Sequence, residues 1–265
     1  MSRTTLTQLR KMKANGEKIV CLTAYDASFA HIHEHSGVDI ILVGDSLGMV
    51  IQGYDSTLPV SVDDMIYHCC AVHRGTEQVF LMVDMPFMSY ATPEQALETG
   101  ARLMREGHAQ MVKLEGGAWL KESVQLLTER GIPVCAHLGL TPQSVHQLGG
   151  YRVQGRGKSK AEQLKADALA LQDAGASLLI LECVPGELAK EISEALDIPT
   201  IGIGAGVDCD GQVLVLQDML GITFGRTPSF SKNFLTGQAS ISDAITTYVK
   251  DVKAKTFPTT DHTFS

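Results

Sequence analysis

The sequence predicts an α/β fold of the (βα)8 TIM barrel class, with eight parallel strands alternating with helices around one closed sheet. Three observations predict it. The chain has 265 residues, close to the ~250 of a typical barrel. A local script recurs, in which a helical stretch stops at a glycine and a β-rich apolar run follows at once. His35-Ser36-Gly37 precedes residues 38–43, Arg105-Glu106-Gly107 precedes 110–114, Glu129-Arg130-Gly131 precedes 133–138, and Asp173-Ala174-Gly175 precedes 177–181. Glycine just past a helix end takes the left-handed conformation without a Cβ clash. Finally, four apolar runs end in acids: Asp45, Asp84, Glu115 and Glu182. Parallel strands would deliver all four to one rim.

Residues 4–13 read as a short amphipathic helix that closes the barrel bottom ahead of the first strand. The strand candidates are 19–23, 38–43, 79–83, 110–114, 133–138, 177–181, 200–203 and 213–216. The eighth has an alternative, a helix over 213–220 with residues 221–224 as the strand. Thr92-Pro93-Glu94-Gln95 combines a capping threonine, a first-turn proline and a reciprocal glutamine. Ser159-Lys160-Ala161-Glu162 reads as a second capping box, opening a helix with Leu164, Ala168 and Leu171 on one face. Ser242 could cap a last helix running to about residue 252, whose Ile245, Tyr248, Val249 and Val252 share a face. The tail after Lys255 reads as frayed. No domain boundary is visible, so residues 1–265 are expected to form a single barrel domain with a short N-terminal helix and a helical C-terminal tail. Alternating strands and helices imply right-handed crossovers. The competing open doubly wound sheet would carry Gly-x-Gly-x-x-Gly after its first strand, and here Ala24-Tyr25-Asp26 follows instead.

A net charge of −8 argues against nucleic acid or an anionic membrane as partner. No apolar run approaches the ~18 residues of a membrane span, and the Met1–Arg10 start lacks signal-peptide character. The expected location is cytoplasmic. Cys21, Cys69, Cys70, Cys135, Cys183 and Cys209 include no Cys-x-x-Cys pair and read as free thiols. Only Cys183, beside Glu182, invites attention as a nucleophile, and packing is the better reading.

Lys113 and Glu115 are two apart, so both can point into the barrel while Val112 and Leu114 face the helices. Clustered acids repel, so a proton, a lysine or a metal must neutralise them. Asp45, Asp84 and Glu115 offer only hard oxygen donors, which suit Mg2+. Each aspartate could instead cap the turn that follows it. His31, His33 and His35 read as a solvated helix end. His137, at the end of the fifth strand, is balanced between a satisfied core histidine and a contact to substrate. Gly202, Gly204 and Gly206 suggest a phosphate loop or merely close packing, and Asp208 and Asp210 would repel phosphate. The loop 139–158 reads as a lid, whose Arg152, Arg156 and Lys158 could attract an anion.

Several stretches together resemble the ketopantoate hydroxymethyltransferase family. They include Thr23-Ala24-Tyr25-Asp26, Val43-Gly44-Asp45-Ser46-Leu47-Gly48-Met49, Asp84-Met85-Pro86-Phe87, Val112-Lys113-Leu114-Glu115-Gly116-Gly117, His137-Leu138-Gly139-Leu140-Thr141-Pro142-Gln143, Leu181-Glu182-Cys183-Val184-Pro185 and Lys232-Asn233-Phe234. The resemblance implies a barrel of the phosphoenolpyruvate/pyruvate type. It also implies transfer of a one-carbon unit from 5,10-methylenetetrahydrofolate to α-ketoisovalerate, through a Mg2+-stabilised enolate, on the route to pantothenate and coenzyme A. By resemblance Asp45, Asp84 and Glu115 would serve the metal. Asp45, Ser46, Asp84 and Lys113 would contact the keto acid, and Glu182 would be the base; His137 joins the substrate contacts on its place at the mouth alone. The family also implies a homo-oligomer, often a decamer. Gln217 departs from the histidine of many members. Another Mg2+-dependent enolate-forming aldolase or lyase on the same barrel is the rival reading. A Schiff base on Lys113 and a barrel that only senses keto acid or folate are weaker ones.

Overall fold

The computed structural model describes residues 3–265. Eight parallel strands close into a barrel in chain order: β1 Ile19–Thr23, β2 Ile40–Val43, β3 Phe80–Asp84, β4 Met111–Glu115, β5 Val134–Gly139, β6 Leu178–Glu182, β7 Thr200–Ile203 and β8 Gly211–Leu214. β1 pairs with β8 to complete the ring. The strands are apolar on both faces because one face fills the barrel and the other carries helices. Every residue of β1 to β4 is buried.

The strands lie where the apolar runs place them, with shifts that matter for the site. β3, β4 and β6 keep their expected length but lie one residue later, so that they end on Asp84, Glu115 and Glu182 themselves. β8 begins at Gly211, two residues before the expected start, because its backbone packs directly against Ile19, where a Cβ on Gly211 would collide. Leu216–Leu220 is the helix that follows β8, and it stops at Gly221 with φ 68°. Residues 221–224 are therefore not a strand. No helix separates β7 from β8.

The helix caps differ in detail. Thr92 accepts from Gln95 N–H as expected, but the Gln95 side chain bonds Ala91 N–H and Met88 O instead of returning to Thr92. The helix Lys158–Asp173 starts one residue before Ser159, behind Gly157, with no side-chain cap. The last helix, Ile241–Lys253, is capped by Ser240 rather than Ser242.

The N-terminal helix Leu6–Ala14 lies under the strand N-termini. Leu9 is fully buried, and Lys13 reaches Asp210 at 2.7 Å. The last helix seals the β1–β8 seam, where the Tyr248 hydroxyl donates to Cys21 O and lies 3.1 Å from Gln212 O. The tail is packed rather than frayed. Phe257 is buried, Phe264 packs edge-on to Phe230, and Phe264 O accepts from Gly186 N–H.

Candidate active site

The strand register brings the predicted acids together. Asp84 pairs with Lys113, Glu115 with His137, and Gly139 with Glu182. Register partners on parallel strands face the same side, so Asp84, Lys113, Glu115 and His137 converge at the C-terminal ends of β3 to β5. Lys113 Nζ lies 3.0 Å from Asp84 Oδ1, 3.4 Å from Glu115 Oε1 and 3.1 Å from His137 Nδ1. The His137 ring then reaches the next strand, with Nε2 3.3 Å from Glu182 Oε2. A protonated Lys113 can only donate, so it favours the His137 tautomer with its hydrogen on Nε2, facing Glu182.

Asp45 sits two residues beyond β2 and joins this group through the backbone. Its N–H donates to Asp84 Oδ2 at 3.0 Å. Gly44 permits the approach, since a Cβ there would stand 2.9 Å from Ser46 Oγ. Neither aspartate caps its own following segment with its side chain, so the turn readings fail. Ser46 Oγ lies 2.8 Å from the Tyr25 hydroxyl. Gly139, at φ 92°, lets β5 press against the Glu182 backbone, where any Cβ would clash. The chain turns sharply after Glu182, with Cys183 in the left-handed region at φ 49°, a conformation that costs a non-glycine residue about 1 kcal/mol or more.

Asp45, Asp84, Lys113 and Glu115 are each at most 5% exposed. Burial pushes the Asp45 carboxyl well up, and the neighbouring Asp84 and Glu115 charges push it further. Burial opposes ionisation of Glu115 as well, yet Lys113, His137 and the Gln143 N–H hold it down to about 2. Burial disfavours the Lys113 cation, but Asp84, Glu115 and Asp45 outweigh it and hold the amine protonated. For His137, burial and the Lys113 charge pull down while Glu115 and Glu182 pull up, and the upward pull wins.

Three buried carboxyl groups therefore share one ammonium, with Asp84 and Glu115 in contact with it and Asp45 beside Asp84. Asp84 Oδ1 lacks an aligned hydrogen bond, its contact with Lys113 being an ion pair only. Hard oxygen donors around unspent negative charge fit a divalent cation such as Mg2+, which needs only one or two carboxylates and keeps its waters. The structure does not gather the expected three-acid cage, however. Among the described residues, no group of three or more His, Cys, Asp or Glu side chains is arranged to hold a metal ion. Glu115 is otherwise engaged, its Oε1 facing Lys113 and His137 and its Oε2 accepting from Gln143 N–H at 3.0 Å. Asp45 and Asp84 are the pair that fits.

Other candidates fall away. The His31 and His35 rings lie 4.0 Å apart and tilted by 39° on an exposed helix face, and His33 is buried against Thr23 O. Burial and the Glu182 charge push the Cys183 thiol up, away from a nucleophilic thiolate. Gly204 and Gly206 serve close packing against Phe230, Phe264 and Gly186. Arg156 is spent on Ser265 O at 3.0 Å. Sequence reasoning assigned no role to Gln143, Tyr90 or Asp218. Gln143 ends the conspicuous run from His137 to Gln143, which was the available signal. Asp218, after β8, is buried, and burial and the Glu182 charge raise its carboxyl.

A sequence model of ketopantoate hydroxymethyltransferase matches residues 3–260. Among curated proteins, the 3-methyl-2-oxobutanoate hydroxymethyltransferase of Nitrosococcus oceani is 64% identical over 258 residues, covering 97% of this chain and 98% of that protein. That of Pseudomonas fluorescens is 58% identical over 262 residues, 98% of each. Among solved structures, a phosphonopyruvate hydrolase complexed with oxalate and Mg++ matches with TM-score 0.62 at 12% identity, over 81% of each chain. A 2,3-dimethylmalate lyase of the PEP mutase/isocitrate lyase superfamily matches with TM-score 0.54 at 19% identity, over 76% of this chain and 72% of that one. These two share the fold. The sequence matches span nearly the whole chain, and on them the chain belongs to the ketopantoate hydroxymethyltransferase family.

Proposed function

We propose that this chain transfers a hydroxymethyl group from 5,10-methylenetetrahydrofolate to 3-methyl-2-oxobutanoate (α-ketoisovalerate). The products are 2-dehydropantoate and tetrahydrofolate, with water supplying the hydroxyl oxygen. The observation that carries the reading is the buried Asp45–Asp84–Lys113–Glu115 cluster, joined through His137 to Glu182 at the mouth of the barrel. In our reading Asp45 and Asp84 hold Mg2+, and Glu115 orders Lys113 and His137 beside them. A bound Mg2+ would supply the Lewis acidity that weakens a C–H bond next to a ketone. Lys113, kept protonated by its acidic neighbours, anchors the substrate carboxylate with the help of Ser46. The same protonation makes it a poor Schiff-base nucleophile. Glu182 takes the proton from C3, and the electron pair left behind becomes the enolate. His137 Nε2, 3.3 Å from Glu182 Oε2 without an aligned hydrogen bond, stands close enough for a charge on its ring to steady that carboxylate. The two C–N bonds that hold the methylene carbon to the folate are then replaced, one by a bond to the enolate carbon and one by a bond to the oxygen of water, and the folate nitrogens take up protons and leave as tetrahydrofolate.

The same proposal places the enzyme in the cytoplasm as a homo-oligomer, a decamer by family resemblance, with the whole chain acting as one barrel domain. Among the described residues no helix is long and apolar enough to cross a membrane. The test is exchange of the C3 proton of α-ketoisovalerate in deuterated water. Wild type should exchange with Mg2+ present and stop with EDTA, and net turnover should require the folate. Glu182→Gln should still bind Mg2+ and keto acid but lose exchange. Normal exchange in that variant removes Glu182 from the role. Exchange without folate-dependent product would favour the lyase or aldolase reading on the same barrel.

A further inference from the structure

Gln143 holds four polar groups from three elements of the mouth at once. It is buried and sits in the short turn Pro142–Ser144, directly after β5. Its side-chain Nε2 donates to Asp45 Oδ2 at 2.8 Å and to Met85 O at 2.9 Å. Its Oε1 accepts from the Tyr90 hydroxyl at 2.5 Å, and its backbone N–H donates to Glu115 Oε2 at 3.0 Å. Tyr90 is itself fixed to β4, since Glu115 N–H donates to its hydroxyl at 3.3 Å.

The amide can take only one orientation here. Flipped, its oxygen would face Asp45 Oδ2 and Met85 O, which are both acceptors. Gln143 therefore occupies Asp45 Oδ2 and leaves Oδ1 as the oxygen available to a cation. A fully satisfied buried amide of this kind sets the position of whatever it holds. The same residue opens the segment between β5 and the helix Lys158–Asp173. The start of that segment and one oxygen of Asp45 are thus held by the same side chain.

We propose that Gln143 is a positioning residue that aims Asp45 at the divalent cation and ties the start of the β5–helix segment to the loaded site. The inference rests on the metal reading above and goes beyond it, because it concerns a residue that need not touch metal or substrate. Outer hydrogen-bond partners of metal ligands are worth about 10- to 100-fold in metal affinity.

The test is Mg2+ titration calorimetry on protein stripped with EDTA, with thermal melts in parallel, for wild type, Gln143→Met and Tyr90→Phe. Gln143→Met should bind Mg2+ about 10- to 100-fold more weakly. Its turnover should recover in part at high Mg2+, as an increased Mg2+ requirement rather than a lost kcat. Tyr90→Phe keeps the donor to Asp45 and removes the hydroxyl that supports Gln143 and accepts from Glu115 N–H, so it should lose affinity in the same direction and by less. A folded Gln143→Met that binds Mg2+ as wild type does, with only a lower Tm, makes Gln143 structural and overturns the inference. If Gln143→Met does not fold, unchanged Mg2+ affinity in Tyr90→Phe overturns it equally. Wild-type protein that binds no Mg2+ overturns the metal reading and this inference together, and is distinguished from the other outcomes by that titration alone.

Discussion

Lys113→Met is the most direct test of the electrostatic account of the site. Methionine matches the length and most of the volume of the lysine and removes only its charge. Lys113 Nζ stands 3.0 Å from Asp84 and 3.4 Å from Glu115. At an effective dielectric near 20, each contact amounts to about 5 kcal/mol of gross attraction. Several kcal/mol of ammonium desolvation offset that sum, and breaking a buried pair by removing one partner costs about 3–5 kcal/mol net. For 265 residues at ~2.1 cal/mol/K each, the unfolding entropy is about 0.56 kcal/mol/K, so 4 kcal/mol lowers Tm by about 7 °C. The pH dependence has a definite sign. Glu115 is held down to about 2 in the folded wild type against an ordinary value of 4.5. Its contribution is therefore present above pH ~4.5 and lost as pH falls towards 2. In Lys113→Met the main cause of that depression is gone, and Glu115 and Asp45 take up protons under milder acid. The deficit should be largest near pH 7 and shrink towards pH 5. Thermal melts by circular dichroism at both pH values, in EDTA, measure it. A variant within about 2 °C of wild type at pH 7 would show that the carboxylates do not depend on Lys113, and the charge argument would fail with it.

Asp45→Asn preserves an acceptor for Gln143 while removing a carboxyl whose folded pKa is raised. A raised carboxyl stabilises the fold fully below its unfolded pKa of about 3.9 and loses that contribution as pH rises through the folded value. Metal-free Asp45→Asn should therefore melt no lower than wild type at pH 7, yet lose the rise in Tm that Mg2+ gives wild type. A lower metal-free Tm with the Mg2+ response intact would contradict both statements. Tyr248→Phe removes a hydroxyl that bridges Cys21 O and Gln212 O across the β1–β8 seam. It should cost about 1–2 kcal/mol in urea unfolding with no change in Mg2+ affinity, and an unchanged urea midpoint would deny the seam its role.

Much of the barrel was legible because its strands announce themselves chemically. Most are short β-branched or leucine-rich runs, four of them behind the helix-ending glycines named above, and burial on both faces leaves little polar alternation to blur their limits. The errors fall where tertiary contact outweighs local pattern. β8 is short, with Gly211 and Gln212 at its start, and it is a strand because Ile19 and Ile201 lie beside it. Ser159 has the chemistry of a cap, but the helix starts a residue earlier behind Gly157. The tail after Lys255 carries few helix or strand signals, and it is ordered by aromatic packing of Phe257 and Phe264 that no local window contains.

For the site, residue identities were readable and their division of labour was not. Strand ends and two-residue spacing place Asp84, Lys113, Glu115 and Glu182 at the rim without any structure. Resemblance to a family assigned Asp45, Asp84 and Glu115 alike to the metal. Chemical type cannot tell them apart, because each is a carboxylate at the end of an apolar run. Geometry separates them: Lys113 and the Gln143 N–H claim the two Glu115 oxygens, whereas Asp84 Oδ1 is left without an aligned hydrogen bond. Gln143, which bonds one oxygen of Asp45 and one of Glu115, is 98 positions from Asp45 in the chain. A neutral amide in a loop carries no charge or periodicity signal, so its part emerges only when the barrel closes and turns sequence distance into contact. The acids of this rim thus carry its charge, and the uncharged residue between them occupies one oxygen of Asp45 and one of Glu115.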